Sequence, residues 1–164
     1  MNSNTLRGAV AGAALLAVAI AGAQTSPNAI RLGLFFPSNG DLKAATSDSW
    51  FALGLDHSFA KGYFNVKGTS ESISLDYMEK SGNRSIPVIY NLNYPGEQGL
   101  SWFFGAGGVY KKFANASNEI NLAAQVGVNY DLASVKLPVF VQVKYTYTGK
   151  DDYRGLSAYL GYKF

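Results

Sequence analysis

The chain has 164 residues, enough for one domain, and no cysteine, which excludes a disulfide framework and any thiolate metal site. Its net charge is +3 and its basic residues are scattered, so it lacks the clustered patch of a nucleic-acid-binding surface. Charged residues make up only 15% against 11 Tyr, 10 Phe and 18 Gly, a balance suited to a curved sheet with an apolar, aromatic-rich exterior.

The chain opens with a polar stretch, Met1 to Arg7, carrying one positive charge, followed by an Ala/Gly/Val/Leu run from Gly8 to Ala23. Ala21-Gly22-Ala23 places small residues before Gln24. This pattern predicts a secretory signal peptide over 1–23, cleaved after Ala23. The run is too short and too rich in Ala and Gly for a spanning helix, which needs about 20 predominantly apolar residues.

From Gln24 onward the dominant signal is alternation, the period of a strand with two unlike faces. Strand one covers Ala29 to Pro37, with Ile30, Leu32, Leu34 and Phe36 on one face and Arg31, Gly33 and Phe35 on the other. Ser38 to Asp48, with an Asn39-Gly40 turn signal, is the longest connection. Strand two runs from Trp50 to Ala60, with His57 on the face of Phe51, Leu53, Leu55 and Phe59, opposite Ala52, Gly54, Asp56 and Ser58. Lys61 to Lys67 turns. Strand three, Ser70 to Glu79, sets Ile73, Leu75 and Tyr77 against Ser72, Ser74, Asp76 and Met78. After the tight turn Ser81-Gly82-Asn83, strand four spans Ser85 to Tyr94, and Pro87 predicts an irregular end because it cannot donate to a ladder.

Pro95 to Gly99 turns, and strand five, Leu100 to Phe113, has glycines on both faces that blur its phase; the preferred one puts Trp102, Phe104, Ala106, Gly108 and Tyr110 outward. Ala114 to Asn118 turns again. Strand six opposes Ile120, Leu122, Ala124, Val126, Val128 and Tyr130 to Asn121, Ala123, Gln125, Gly127 and Asn129. Asp131 to Val135 is the next turn. In strand seven Leu137, Val139, Val141, Val143, Tyr145 and Tyr147 oppose Phe140, Gln142, Lys144 and Thr146; Gly149 to Asp152 then leads to the last strand, Leu156 to Phe164.

About eight strands of roughly ten residues match the length that crosses a bilayer when tilted. The apolar faces carry Leu, Val, Ile and Phe in mid-strand and Tyr near the ends, the order of a lipid-facing band with girdles. The opposite faces carry Ser, Asn, Gln, Thr and Gly with isolated charges rather than the Lys and Glu of a solvated surface, which suits a confined interior. Arg31, Asp56, Asp76, Lys144 and Lys163 are therefore expected inside as a pairing network, since buried charges need partners. Eight strands enclose an interior just wide enough for side chains to fill, so a barrel plugged by polar side chains is expected, with Gly33, Gly54, Gly127 and Gly161 leaving gaps for water.

No catalytic, cofactor or metal constellation is legible. His57 is the single histidine, and its neighbours Asp56 and Ser58 point to the opposite face. It reads as an amphipathic ring at the interface rather than a base. GxSxG, Walker and HExxH patterns are absent. Asp151-Asp152 reads as a solvated turn.

The final strand carries a family resemblance. Ala158, Leu160 and Tyr162 alternate up to Phe164, where the sequence ends on an aromatic ring. This resembles the closing strand of the small, about eight-stranded bacterial outer-membrane β-barrels, the OmpA/OmpX-like superfamily. The resemblance implies an all-β, antiparallel up-and-down transmembrane β-barrel over 24–164, monomeric, in the outer membrane. It also implies that both mature termini are periplasmic, and that outer-membrane lipid and the barrel-assembly machinery are partners, the latter reading Ala158, Leu160, Tyr162 and Phe164. Ser38 to Asp48, Ser81 to Arg84, Ala114 to Asn118 and Gly149 to Asp152 would then face outside. The role so implied is structural or at the envelope surface, without cofactor, enzymatic activity or nucleic acid. The alternatives are a small porin-like channel and a secreted soluble lipocalin-like ligand carrier.

Overall fold

A computed structural model describes residues 27–114, 117–132, 137–149 and 153–164. The expected signal peptide, its cleavage point and Asp151-Asp152 lie outside the described residues. Strands β1 (Asn28–Pro37), β2 (Trp50–Phe59), β3 (Ser70–Lys80), β4 (Asn83–Pro95), β5 (Leu100–Lys112), β6 (Glu119–Asp131), β7 (Val139–Thr148) and β8 (Gly155–Lys163) pair with their sequence neighbours. Every pairing is antiparallel, and β8 returns to β1 with Ala29 opposite Lys163 and Leu34 opposite Ala158, so the sheet closes without an edge. Strands of 9 to 13 residues exceed or match the 9 to 11 or so that span a bilayer at a tilt.

The two faces are sorted opposite to those of a soluble protein. Leu32, Val126 and Leu160 on the outer wall are 52%, 55% and 59% exposed, whereas Arg31, Asp76 and Lys144 inside are at 1% or less. A soluble carrier would keep the apolar set inside, as its only route to a core. This wall is suited to lipid.

One end of the barrel, here the terminal rim, carries Asn28, Phe59, Ser70, Pro95, Leu100, Asp131, Val139 and Lys163; the other is the distal rim. The chain ends are tied together at the terminal rim, where Phe164 N–H donates to the Asn28 carbonyl at 2.9 Å. Outer-wall aromatics gather at both rims. Tyr94, Trp102 and Phe104 stack near the terminal one, with Tyr94 and Trp102 centroids 4.3 Å apart, and Tyr145 and Tyr147 lie on β7 toward the distal one.

Three local features differ from or refine the sequence expectation. The β1–β2 connection contains a short helix, α1 (Gly40–Ala45), capped by Asn39, whose Oδ1 accepts from Leu42 N–H at 2.9 Å. Asn-Gly serves a turn and an N-cap about equally well, which is why the helix was not legible. Ser81 and Gly82, at φ 52° and 81°, form a two-residue hairpin loop, so β4 begins at Asn83 rather than Ser85. Pro87 stands within β4 and pairs with Val109 of β5, but toward β3 the ladder lapses between Leu75–Val88 and Met78–Ser85. The missing proline N–H accounts for that one-sided gap. Strand five has the preferred phase, with Trp102 and Phe104 outward and Phe103 and Val109 buried inside.

Candidate functional site

Inward alternation brings charged and amide side chains from six strands to one level of the interior. Arg31 on β1 lies with Nε 2.7 Å from Asp56 Oδ2, and its Nη2 donates to Asp56 Oδ1 at 2.8 Å. The same Nη2 is 3.1 Å from Asp76 Oδ1 on β3. Arg31 Nη1 also donates to Gln142 Oε1 on β7, and Lys144 Nζ to Asp76 Oδ2. Two cations thus face two carboxylates, leaving the cluster electrically balanced, as burial of charge requires.

Neutral side chains extend this belt. Lys144 Nζ donates to Gln125 Oε1 at 3.0 Å, and Gln125 Nε2 donates to Asn91 Oδ1 at 2.6 Å and to Ser74 Oγ at 3.0 Å. Gln142 Nε2 reaches Asn129 Oδ1 at 2.8 Å. The Tyr159 ring has the Arg31 guanidinium 5.0 Å and the Lys144 ammonium 5.5 Å from its centroid, a cation–π arrangement on both. Strand β5 offers no bulk at this level: a Cβ at Gly105 would fall 2.3 Å from Asn91 Oδ1.

Of the expected interior charges, Arg31, Asp56, Asp76 and Lys144 lie together and Lys163 does not join them. Lys163 sits at the terminal rim, roughly half exposed, with Nζ 2.7 Å from Asp131 Oδ1. A lysine at the last strand position has water in reach, so a rim carboxylate suffices. The glycines expected to leave room for water are filled instead. A Cβ at Gly161 would lie 2.2 Å from the Phe140 ring, one at Gly127 2.6 Å from Phe103, and one at Gly54 2.7 Å from Asp76 Oδ1; at Gly33 the backbone of β8 itself comes close.

Beyond the belt, toward the distal rim, the interior turns apolar. Phe35, Trp50, Ala52, Met78, Tyr153 and Tyr159 form a buried cluster, with Leu42 of α1 and Phe113 packed against it. Trp50 is fully buried, edge-on to Phe35 and Tyr153, and its Nε1 donates to Thr46 Oγ1 at 3.0 Å. Toward the terminal rim a polar cavity of about 180 Å3 ends on the belt at Arg31, Asp56 and Gln142. Sequence reasoning missed the amide relays, Tyr159 and the Trp50 cluster. Apart from Tyr153, which precedes β8, each was on the inner face by alternation, but contacts across a lumen depend on stagger, which alternation leaves open.

His57 lies on the outer wall near the terminal rim, its Nδ1 2.9 Å from Asn28 Oδ1 and its ring 5.2 Å from Phe59. Asp56 points inward, away from it. Among the described residues no group of His, Asp and Glu is placed to hold a metal ion.

No family model matches the sequence, and no curated protein is similar to it. Solved structures do match. The outer membrane protein Ail of Yersinia pestis, solved in a phospholipid bilayer nanodisc, aligns at TM-score 0.56 and 12% identity over 84% of this chain and 98% of its own. The fold is that of the small transmembrane β-barrels. The designed barrel TMB2.3 aligns at TM-score 0.56 and 15% identity over 86% of this chain and 98% of its own. The outer membrane enzyme PagL aligns at TM-score 0.55 and 13% identity over 83% and 99%. At such identities the likeness is one of backbone, shared by a natural membrane protein, an enzyme and a design, and it assigns no chemistry to the interior.

Proposed function

We propose that this chain is an integral outer-membrane β-barrel with a structural or envelope-surface role, its lumen closed by its own side chains, without enzymatic activity. The observation that carries this reading is the interior itself. A balanced ion-pair belt bridges the lumen, and an aromatic cluster capped by α1 lies between it and the distal rim. The outward apolar wall with aromatics at both rims supports residence in lipid rather than carriage of a ligand in water. Among the described residues no Ser–acid pair lies beside His57, which is held by Asn28 on the outer wall, and this favours a non-enzymatic role. The terminal rim would face the periplasm, and Ala158, Leu160, Tyr162 and Phe164 would be the segment read during assembly.

The test is to refold the chain from Gln24 into detergent and compare boiled and unboiled samples on a denaturing gel, then add the folded protein to planar bilayers. The reading expects a band that shifts on boiling and a silent bilayer. Stepwise conductance would favour the porin-like channel. A chain that stays folded in plain buffer with no shift would favour the soluble carrier.

A further inference from the structure

Glu71 is an acid on the wrong wall. It is the second residue of β3, on the outward face shared by Ile73 and Leu75, yet it is only 3% exposed. The segment between β2 and β3 covers it. The backbone N–H groups of Tyr63, Phe64 and Asn65 all donate to its carboxylate, at 2.6, 3.0 and 2.8 Å, and the Tyr90 hydroxyl donates to Oε2. Successive N–H groups converging on one anion form a nest, here with Asn65 at φ 49°. Gly62 admits the carboxylate, since a Cβ there would lie 2.1 Å from Glu71 Cδ. The segment is thereby folded back along the outer wall.

That fold places the segment's own side chains in line with the barrel exterior. Tyr63 and Phe64 are 86% and 63% exposed. Their rings continue the wall without a break: Phe59 stacks on Tyr90 at 5.7 Å, Phe64 stands edge-on to Tyr90 at 5.7 Å, and Tyr63 edge-on to Phe64 at 5.6 Å. The charged residues between 60 and 69 are Lys61 and Lys67, both exposed, and the nearby acid is the covered Glu71. Exposed aromatic rings beside lysines, continuous with an apolar wall, match the chemistry of an anionic headgroup layer.

We propose that residues 60–69 form a lateral foot that docks the terminal rim onto the phospholipid headgroup layer, with Tyr63 and Phe64 entering the interface and Lys61 and Lys67 meeting lipid phosphates. The proposal rests on the membrane-barrel reading. Glu71 acts as the clamp: it orients the foot and touches no lipid.

The chain has no cysteine, so single labels can be placed. Tyr63→Cys, Leu32→Cys on the mid-barrel wall and Glu97→Cys in the exposed β4–β5 turn would each carry a nitroxide. All three would be compared in phosphatidylcholine vesicles with and without phosphatidylglycerol, by oxygen and nickel-chelate accessibility. The Tyr63 label is expected between the deep Leu32 and the aqueous Glu97 values and deeper with phosphatidylglycerol. Lys61→Gln with Lys67→Gln should remove that lipid dependence, and Glu71→Ala should move the label toward water while the boiled-gel shift is retained. A Tyr63 label as aqueous as Glu97, with Leu32 in lipid, overturns the foot and leaves the barrel standing; an aqueous Leu32 label overturns the barrel reading itself. A buried Tyr63 label indifferent to lipid charge and to both lysines overturns the phosphate contact. Dipolar broadening between Tyr63 labels would assign the surface to a second copy instead.

Discussion

Lys144 on β7 reaches Asp76 on β3, on the opposite side of the closed sheet, and both side chains are wholly buried. A bond of this kind staples the wall across its own lumen. Arg31 and Asp56 extend the staple to β1 and β2. At the level of the belt the apolar side chains point outward, so polar pairing must hold this part of the inside together.

Asp76 is the hinge of that arrangement, being shared by Arg31 and Lys144. Asp76→Ala should destabilise the barrel by about 3–5 kcal/mol, because two buried cations lose a common partner. Joint replacement, Asp76→Leu with Lys144→Met, should recover much of the loss. Urea unfolding in lipid vesicles reads both. An Asp76→Ala midpoint equal to wild type would mean the belt adds nothing to stability.

The chain has 2 Trp, and the fold puts them on opposite faces. Trp102 is 45% exposed on the outer wall and Trp50 is fully buried inside. In vesicles of brominated phospholipid, Trp50→Phe should leave a strongly quenched emission and Trp102→Phe a weakly quenched one. Equal quenching would contradict the inside-outside assignment of β2 and β5.

Phe140 lies across the ladder over Gly161, its register partner. This is an aromatic covering a cross-strand glycine. Gly161→Val should cost about 1–3 kcal/mol by overpacking, and Phe140→Ala in the same chain should return part of it. A double-mutant cycle on unfolding midpoints measures the coupling; additive losses would show that the ring and the glycine are independent.

If the lumen is closed as proposed, that closure should be redundant. Trp50→Ala with Tyr153→Ala removes bulk from the distal cluster but leaves the belt, so planar bilayers should stay silent. Conductance is expected only when Arg31, Asp56, Asp76 and Lys144 are also replaced by small residues. A conducting Trp50/Tyr153 variant would show that the belt passes ions.

The strand spans, the sorting of faces and the closing strand were legible because each follows from period two within a strand of about ten residues, a local property. Leu156 to Phe164 shows outward Leu160 and inward Tyr159 from sequence alone, and β8 has that sorting. Even strand five, with glycines on both faces, was readable once Trp102, Phe104 and Tyr110 were required to share a wall.

An interior charge network was expected from sequence, but which partners meet across the lumen was not legible. Alternation says that Asp76, Lys144 and Lys163 share a phase, but it carries no height along the barrel, and height decides that Lys144 meets Asp76 while Lys163 meets Asp131. It says that Gly161 points inward but not that Phe140 fills the space. Glu71 was the hardest case: the sequence shows an acid where lipid should be, and only the path of residues 60–69 supplies the N–H groups that shelter it. Stagger between strands and the path of connections are set by closure of the whole sheet, a global constraint that no window of sequence contains.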